Sequence, residues 1–185
     1  ELDDPAIVAH DLGVPLEEIL TVVATLATRE QESVNWAKSN VLSGSSVKSD
    51  WSQRLKKLAI APGYRSLQAA HAEVRHKRAL NLFHLYEMTQ LRSYLVFFDI
   101  VVQNGSISTD VYNSYQAWLK NNRSATEYSK MKKLIELRVA KVSSRWRADV
   151  RARKMTILDG TGTVHGSQRD VDEEYCTDIR QPMPN

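Results

Sequence analysis

The sequence predicts an all-α fold, and three observations carry that prediction. Apolar residues recur at three- and four-residue spacing through most of the chain. Clusters of Gly, Pro, Asn and Ser interrupt the spacing at helix-length intervals. No stretch reads as a strand longer than about three or four residues, and no repeat of fixed period is present. The expectation is a single helical domain over residues 1–185, built from roughly seven to nine helices, with residues 167–185 as an irregular acidic tail.

The elements follow in order. Residues 1–12 form a short polar segment containing Pro5 and His10, closed by Gly13-Val14-Pro15. Pro15 suits a first helical position, and Leu16, Ile19, Leu20, Val23 and Leu26 or Ala27 place an amphipathic helix over residues 15–28. A second helix spans about residues 29–39, with Val34 and Trp36 apolar, and Ser43-Gly44-Ser45-Ser46 is a loop. Ser49 or Asp50 opens a third helix with the stripe Trp51, Leu55, Leu58 and Ala59, broken by Pro62-Gly63.

Helical periodicity then continues from Tyr64 to Tyr86 or Met88. The most apolar run of the chain follows, a helix over residues 89–102, with Gly105 placed as its C-terminal cap. Thr109 or Asp110 starts the next helix, which Asn121-Asn122 ends. A basic helix opens near Ser129 and runs to Val142, and a last one covers residues 146–158. Residues 159–166 read as a Gly-rich loop.

A chain of 185 residues is one domain and buries roughly 70% of its unfolded surface, enough to need no covalent staples. The single cysteine, Cys176, excludes an internal disulfide framework and argues against a cysteine-based zinc site. No apolar run approaches the about 18 residues of a membrane-spanning helix. Residues 1–5 carry neither the basic nor the apolar region of a secretory signal, so the expectation is a cytosolic protein, one exported by another route, or a processed or partial chain.

Net charge is +3 but unevenly spread: residues 120–154 hold twelve Lys or Arg against three acids, and residues 159–178 six acids against one Arg. Such a basic face suits an anionic polymer, whether nucleic acid, lipid surface or peptidoglycan, although a solvated helix face accounts for most of its side chains. Nucleic acid is the least expected partner. The segment 138–154 interleaves only Trp146, which reads as core, and matches no helix-turn-helix or RNA-binding signature.

Asp99 lies in the middle of the apolar run Leu95-Val96-Phe97-Phe98-Asp99-Ile100-Val101-Val102. A carboxylate buried without a partner costs several kcal/mol, so a cation or several donors must meet it. Arg138 and Arg153 sit on helical stretches with apolar neighbours, and one Asp flanked by two Arg would satisfy it. Two readings stand: a structural ion pair, or a pair that shapes a cleft.

Other motifs are weaker. Gly160-Thr161-Gly162-Thr163-Val164-His165-Gly166 is Gly-rich but follows a helix and lacks the Gly-Lys-Ser/Thr ending of a phosphate loop. Asp170, Asp172, Glu173 and Glu174 offer hard oxygens to Ca²⁺ without the glycine of an EF-hand loop, and a solvated acidic turn is the alternative.

The order of several motifs resembles a known family. Phe98-Asp99-Ile100-Val101-Val102-Gln103-Asn104-Gly105-Ser106-Ile107 resembles the Phe-Asp helix of glycoside hydrolase family 46 chitosanases. It is more similar still to the related lysozyme-like peptidoglycan hydrolases of phages and of secreted bacterial muramidase toxins. Arg29-Glu30 leading to Trp36-Ala37, then Trp51 and Pro62-Gly63-Tyr64, precede it in the family's order. Arg145-Trp146, Asp149-Val150, Arg153-Lys154, Ile157, Gly160, Gly162 and Val164-His165-Gly166 form the last and most specific motif. The resemblance covers about residues 28–175.

The resemblance implies a lysozyme-superfamily helical domain, its larger α-lobe, and cleavage of β-1,4 bonds between amino sugars by a general-acid Glu with a second group on the opposite face. It implies an ion network of Asp99, Arg138 and Arg153 behind the cleft, and Gln103, Asn104 and His165 as substrate-binding residues. Peptidoglycan glycan strands are the implied substrate, with chitosan or a purely binding module as alternatives. No cofactor is required, Ca²⁺ is a candidate, and a cognate immunity protein is an implied partner. Secretion to act in the bacterial periplasm or cell wall is the implied location.

The family's acidic residue precedes an Asp-Gly-Gln-Gly segment that has no counterpart here. The chain therefore resembles the C-terminal part of such an enzyme, with the general-acid segment expected N-terminal to it. Glu17, Glu18, Glu30 and Glu32 read as helix surface, and no residue is assigned as the catalytic acid.

Overall fold

The computed structural model of the chain describes residues 4–28 and 30–184, and these form ten helices and two short β-hairpins. The all-α expectation holds. The side chains of Val23, Leu26, Ala27 and Glu30, and residues 1–3 and Arg29, lie outside the described set. The chain divides into two compact units, residues 1–72 and 73–185.

The first unit begins with a helix that the reading of residues 1–12 as a polar segment leaves out. It is α1 (Pro5–Leu12). Its start is a local signature: the Asp4 carboxylate accepts from the Ala6 amide at 2.9 Å, and Pro5 occupies the first turn, where its missing N–H costs nothing. Then come α2 (Leu16–Thr28), α3 (Glu30–Asn40), the hairpin β1 (Leu42–Ser43) and β2 (Ser46–Val47), α4 (Ser49–Ile60) and the start of α5 (Pro62–Leu85). Pro62 opens α5 as well as ending the helix before it. Ala9, Leu12 and Ile19 form a small buried core, with Val8, Val14 and Leu58 against it. Trp36 and Trp51 meet edge to face at 5.7 Å, and Arg54 lies over Trp51 while bonding Glu18 at 2.9 Å.

The second unit takes the rest of α5 and then α6 (Leu91–Asn104), α7 (Thr109–Lys120), α8 (Glu127–Ala140), α9 (Ser144–Asp159), the hairpin β3 (Thr161–Val164) and β4 (Ser167–Asp170), and α10 (Val171–Tyr175). Its core joins Phe83 and Tyr86 to Phe97, Ile100, Tyr115, Met131, Leu134, Ile135 and Leu158. The apolar run becomes α6, which buries Ser93, Val96, Phe97, Asp99, Ile100 and Val101. Gly105 ends it with φ 79°, as its position in the sequence predicts.

The start of α6 is satisfied from elsewhere in the chain. A helix leaves its first amides without intrahelical partners, and Gln90, at the cap, makes no side-chain capping bond. The Glu127 carboxylate, from the first turn of α8, accepts from the Thr89 amide at 3.0 and 3.1 Å, the Gln90 amide at 2.9 Å and the Thr89 and Ser93 hydroxyls at 2.7 and 2.6 Å. The next amides, of Leu91 and Arg92, donate to the carbonyls of Gln181 at 2.9 Å and Ile179 at 2.7 Å.

The described residues of the expected tail, 167–184, are therefore not irregular. They supply β4 and α10, bury Ile179 fully, and cap the central helix. The Gly-rich segment is likewise a hairpin and not a loop. Thr161 pairs with Asp170 and Val164 with Ser167. The two-residue turn puts His165 at φ 51° and Gly166 at φ 78°, the left-handed pair that matches the twist of two antiparallel strands.

Gly162 permits β3 to lie on α9: a Cβ there would sit 2.2 Å from Thr156 Oγ1 and 3.0 Å from Thr156 Cβ. Gly162→Ala is expected to destabilise the second unit by about 1–3 kcal/mol through overpacking, and Thr156→Ala in the same chain should recover part of the loss. Equal denaturation midpoints for Gly162→Ala and the wild type would contradict this contact.

Candidate functional site

The second unit contains a cleft of about 400 Å³. Leu95, Phe98 and Val102 of α6 form one wall, and Arg153 and Ile157 of α9 another. The β3–β4 hairpin contributes Val164, His165 and Arg169, and α10 contributes Glu174 and Tyr175. Asp99 lines the cleft from α6 although its side chain is only 4% exposed.

Asp99 is met by two cations, as a buried carboxylate requires. Arg153 Nε donates to Oδ1 at 2.6 Å, and a second Arg153 nitrogen lies 2.5 Å from the same oxygen. The other cation is Lys154 and not Arg138. Lys154 Nζ donates to Asp99 Oδ2 at 2.8 Å and to Gln103 Oε1 at 2.7 Å, and its side chain is fully buried.

Burial pushes the Lys154 ammonium below its usual range, and Arg153 and Arg138 add repulsion, while Asp99 opposes the shift by attraction and hydrogen bonding. Arg138 thus belongs to the surroundings of the network as a positive neighbour of Lys154. It is half-buried on α8, where the apolar stripe Met131, Leu134, Ile135 and Val139 takes the inner face.

Lys154 left a signal in the sequence. Val150, Lys154 and Leu158 recur every four residues, so a lysine occupies the middle of an apolar stripe. Asp99 and Gln103 are likewise four apart on α6 and present their oxygens on one side. Neighbouring positions on α9 then serve different ends: Arg153 reaches Asp99 from the cleft, its side chain 43% exposed, and Lys154 from the core.

The other expected site residues separate. His165 lines the cleft at the hairpin turn, and its Nδ1 lies 3.2 Å from Asp149 Oδ1 on α9. Gln103 holds Lys154 and belongs to the network. Asn104 lies outside the cleft lining, and its Oδ1 is buried with no hydrogen-bond partner.

Three of the four acidic residues expected as Ca²⁺ ligands have partners within the chain. Asp170 caps α10 by accepting from the Glu173 amide at 3.0 Å. Asp172 accepts from the Ile179 amide at 2.8 Å and from Arg180 at 2.6 Å. Glu174 pairs with Arg169, whose guanidinium holds the carboxyl below its usual range. Among the described residues no group of three His, Cys, Asp or Glu is arranged to hold a metal ion.

The cleft's chemistry follows from these pairings. Its carboxylates, Asp99 and Glu174, are both bonded to arginine, so each serves as an acceptor and a charge anchor. Phe98 and Tyr175 line the cleft together with Arg153, His165 and Arg169. Apolar rings with a few fixed polar groups suit a neutral, hydroxyl-rich ligand.

Trp146, read as core, is 52% exposed, because the buried stripe of α9 begins only at Val150 and the ring lies on the first turn, with Arg145 4.7 Å from its centre. Arg145, Arg147, Arg151, Lys141, Arg123 and Lys120 of the basic region are also exposed. Glu17 is exposed and Glu18 bonds Arg54, as their reading as helix surface expects. No helix among the described residues is long and apolar enough to cross a membrane. Comparison with protein-family models, curated proteins and solved structures finds no match to the chain.

Proposed function

We propose that the second unit is the substrate-binding body of a lysozyme-like glycan hydrolase that acts on peptidoglycan. One observation carries this reading. Asp99 and Arg153, 54 residues apart, and His165 all belong to motifs that resemble that family, and they meet at one cleft of about 400 Å³. The ion network stiffens the cleft floor, so that Arg153 and the hairpin donors present fixed hydrogen bonds to a sugar chain. The bonds cut in this reading are β-1,4 linkages between amino sugars. The general acid comes from outside the described residues, and the site of action is the bacterial cell wall.

A second reading, a glycan-binding module without catalysis, draws on a specific observation: both carboxylates at the cleft are ion-paired with arginine, which engages the oxygens a general acid would turn to the leaving group. One experiment separates the two. Purified cell walls are expected to bind the 185-residue chain, and to lose turbidity and release muropeptides when the protein is added in the form its gene encodes. Binding without release at every pH and divalent-cation condition would leave the module and remove the hydrolase. No binding at all would remove both.

A further inference from the structure

We infer that Trp146 is a distal sugar-stacking platform, so that the glycan-binding surface runs along α9 well beyond the cleft. The inference rests on the glycan reading of the cleft and extends it to the length of chain bound.

Trp146, Asp149 and Arg153 are spaced i, i+3 and i+7, so they share one face of α9. Arg153 lines the cleft, and Asp149 Oδ1 lies 3.2 Å from His165 Nδ1 at the cleft's hairpin edge. Trp146 continues that stripe outward, about 10 Å along the helix from Arg153. A tryptophan is among the most costly side chains to leave in water, yet this one is 52% exposed. Arg145 lies 4.7 Å from the ring centre, which covers and steadies one face of the indole.

The chemistry along the stripe selects the occupant. A bilayer would need apolar neighbours beside the ring, and the adjacent residues are Ser143, Ser144, Arg145 and Arg147. A single-stranded nucleic acid needs further aromatic platforms for its successive bases, and Trp146 is the one aromatic residue between positions 138 and 154. A peptidoglycan strand fits both sets of groups. Its pyranose faces stack on indole, its hydroxyl and amide groups bond acceptors such as Asp149, and the carboxylates of its peptide stems meet exposed Arg145, Arg147 and Arg151.

The test uses the full chain, with co-sedimentation on purified sacculi in the cold and titration with the soluble N-acetylglucosamine–N-acetylmuramic acid disaccharide. Trp146→Ala is expected to lower the ratio of sacculus affinity to disaccharide affinity about tenfold, a loss typical of a buried tryptophan anchor, while Trp146→Phe keeps most of it. An unchanged thermal midpoint for Trp146→Ala checks that the fold is intact. A wild-type ratio in Trp146→Ala would overturn the platform and leave the cleft reading standing. Loss of single-stranded oligonucleotide binding with sacculus binding unmoved would overturn it in favour of nucleic acid. A wild-type chain that binds neither sacculi nor disaccharide would overturn the cleft reading and the platform together.

Discussion

Asp99→Ala is expected to lower the stability of the second unit by about 3–5 kcal/mol, the cost of leaving a buried charge without its partner. The orphaned group is Lys154, which is fully exposed to its neighbours' charge and not at all to water. Gln103 Oε1 would remain as its acceptor, a neutral oxygen that does not replace a carboxylate. Asp99→Asn should cost less, because the amide oxygen still accepts one bond. Lys154→Met should cost less again, because Asp99 keeps Arg153, half in solvent, and the methionine fills the lysine's apolar path.

The pH dependence of Asp99→Ala has a definite sign. Folding already pushes Lys154 below its usual 10.5, and removing Asp99 takes away the two influences that oppose the shift. At pH values above the folded pKa and below 10.5 the unfolded chain holds a proton that the folded chain has released. Stability therefore rises with pH through that window, and the deficit of Asp99→Ala relative to wild type should shrink toward alkaline pH. Denaturation curves at neutral and alkaline pH check this. Midpoints equal to wild type for Asp99→Ala at neutral pH would mean that the three side chains are not a buried network. Under the proposed glycan-binding function, binding to cell walls should fall in parallel, since Arg153 loses the anchor that aims it at the cleft.

Glu127→Ala is the second large effect, a loss of about 2–3 kcal/mol. One carboxylate accepts from two amides and two hydroxyls at the start of the central helix, and water can replace only part of that set because the site is half-buried. Burial alone would raise the Glu127 pKa, but the hydrogen bonds from Ser93, Thr89 and the Gln90 and Thr89 amides outweigh it and hold the carboxyl below its usual 4.5.

A depressed folded pKa means that the stabilisation is complete above 4.5 and is lost as pH falls through the folded value. Wild type should thus lose stability on acidification below that point, and Glu127→Gln should show a smaller acid-dependent loss from a lower starting stability. Parallel acid-unfolding curves for the two proteins would show that the clamp does not titrate with folding. Because α6 carries Asp99 and Gln103, a loosened start to that helix should also weaken the cleft.

The sequence by itself determined the helices whose marks are local. Gly105 ends α6 and Pro62 ends α4 because backbone geometry at those residues allows few alternatives. The need of Asp99 for a cation was legible for the same kind of reason, since a carboxylate within an apolar run cannot be left alone. Arg153 was legible as one partner from its apolar surroundings.

Only the tertiary structure decided the rest. Periodicity shows which positions of α8 and α9 turn inward, but not which cation reaches a carboxylate on a third helix until the helices are packed. Lys154 prevailed over Arg138 because α9 lies against α6 and brings the buried ammonium of Lys154 to Asp99. The fate of residues 167–185 was hidden for a related reason. Their role is to meet amides of Leu91 and Arg92 almost ninety positions earlier, and an acidic, turn-rich segment carries no local mark of such a contact. Trp146 was misread as core because a helical stripe does not say where along its length burial begins. Caps, breakers and buried-charge demand are properties of a few adjacent residues, whereas the choice of partner is a property of how two distant surfaces meet.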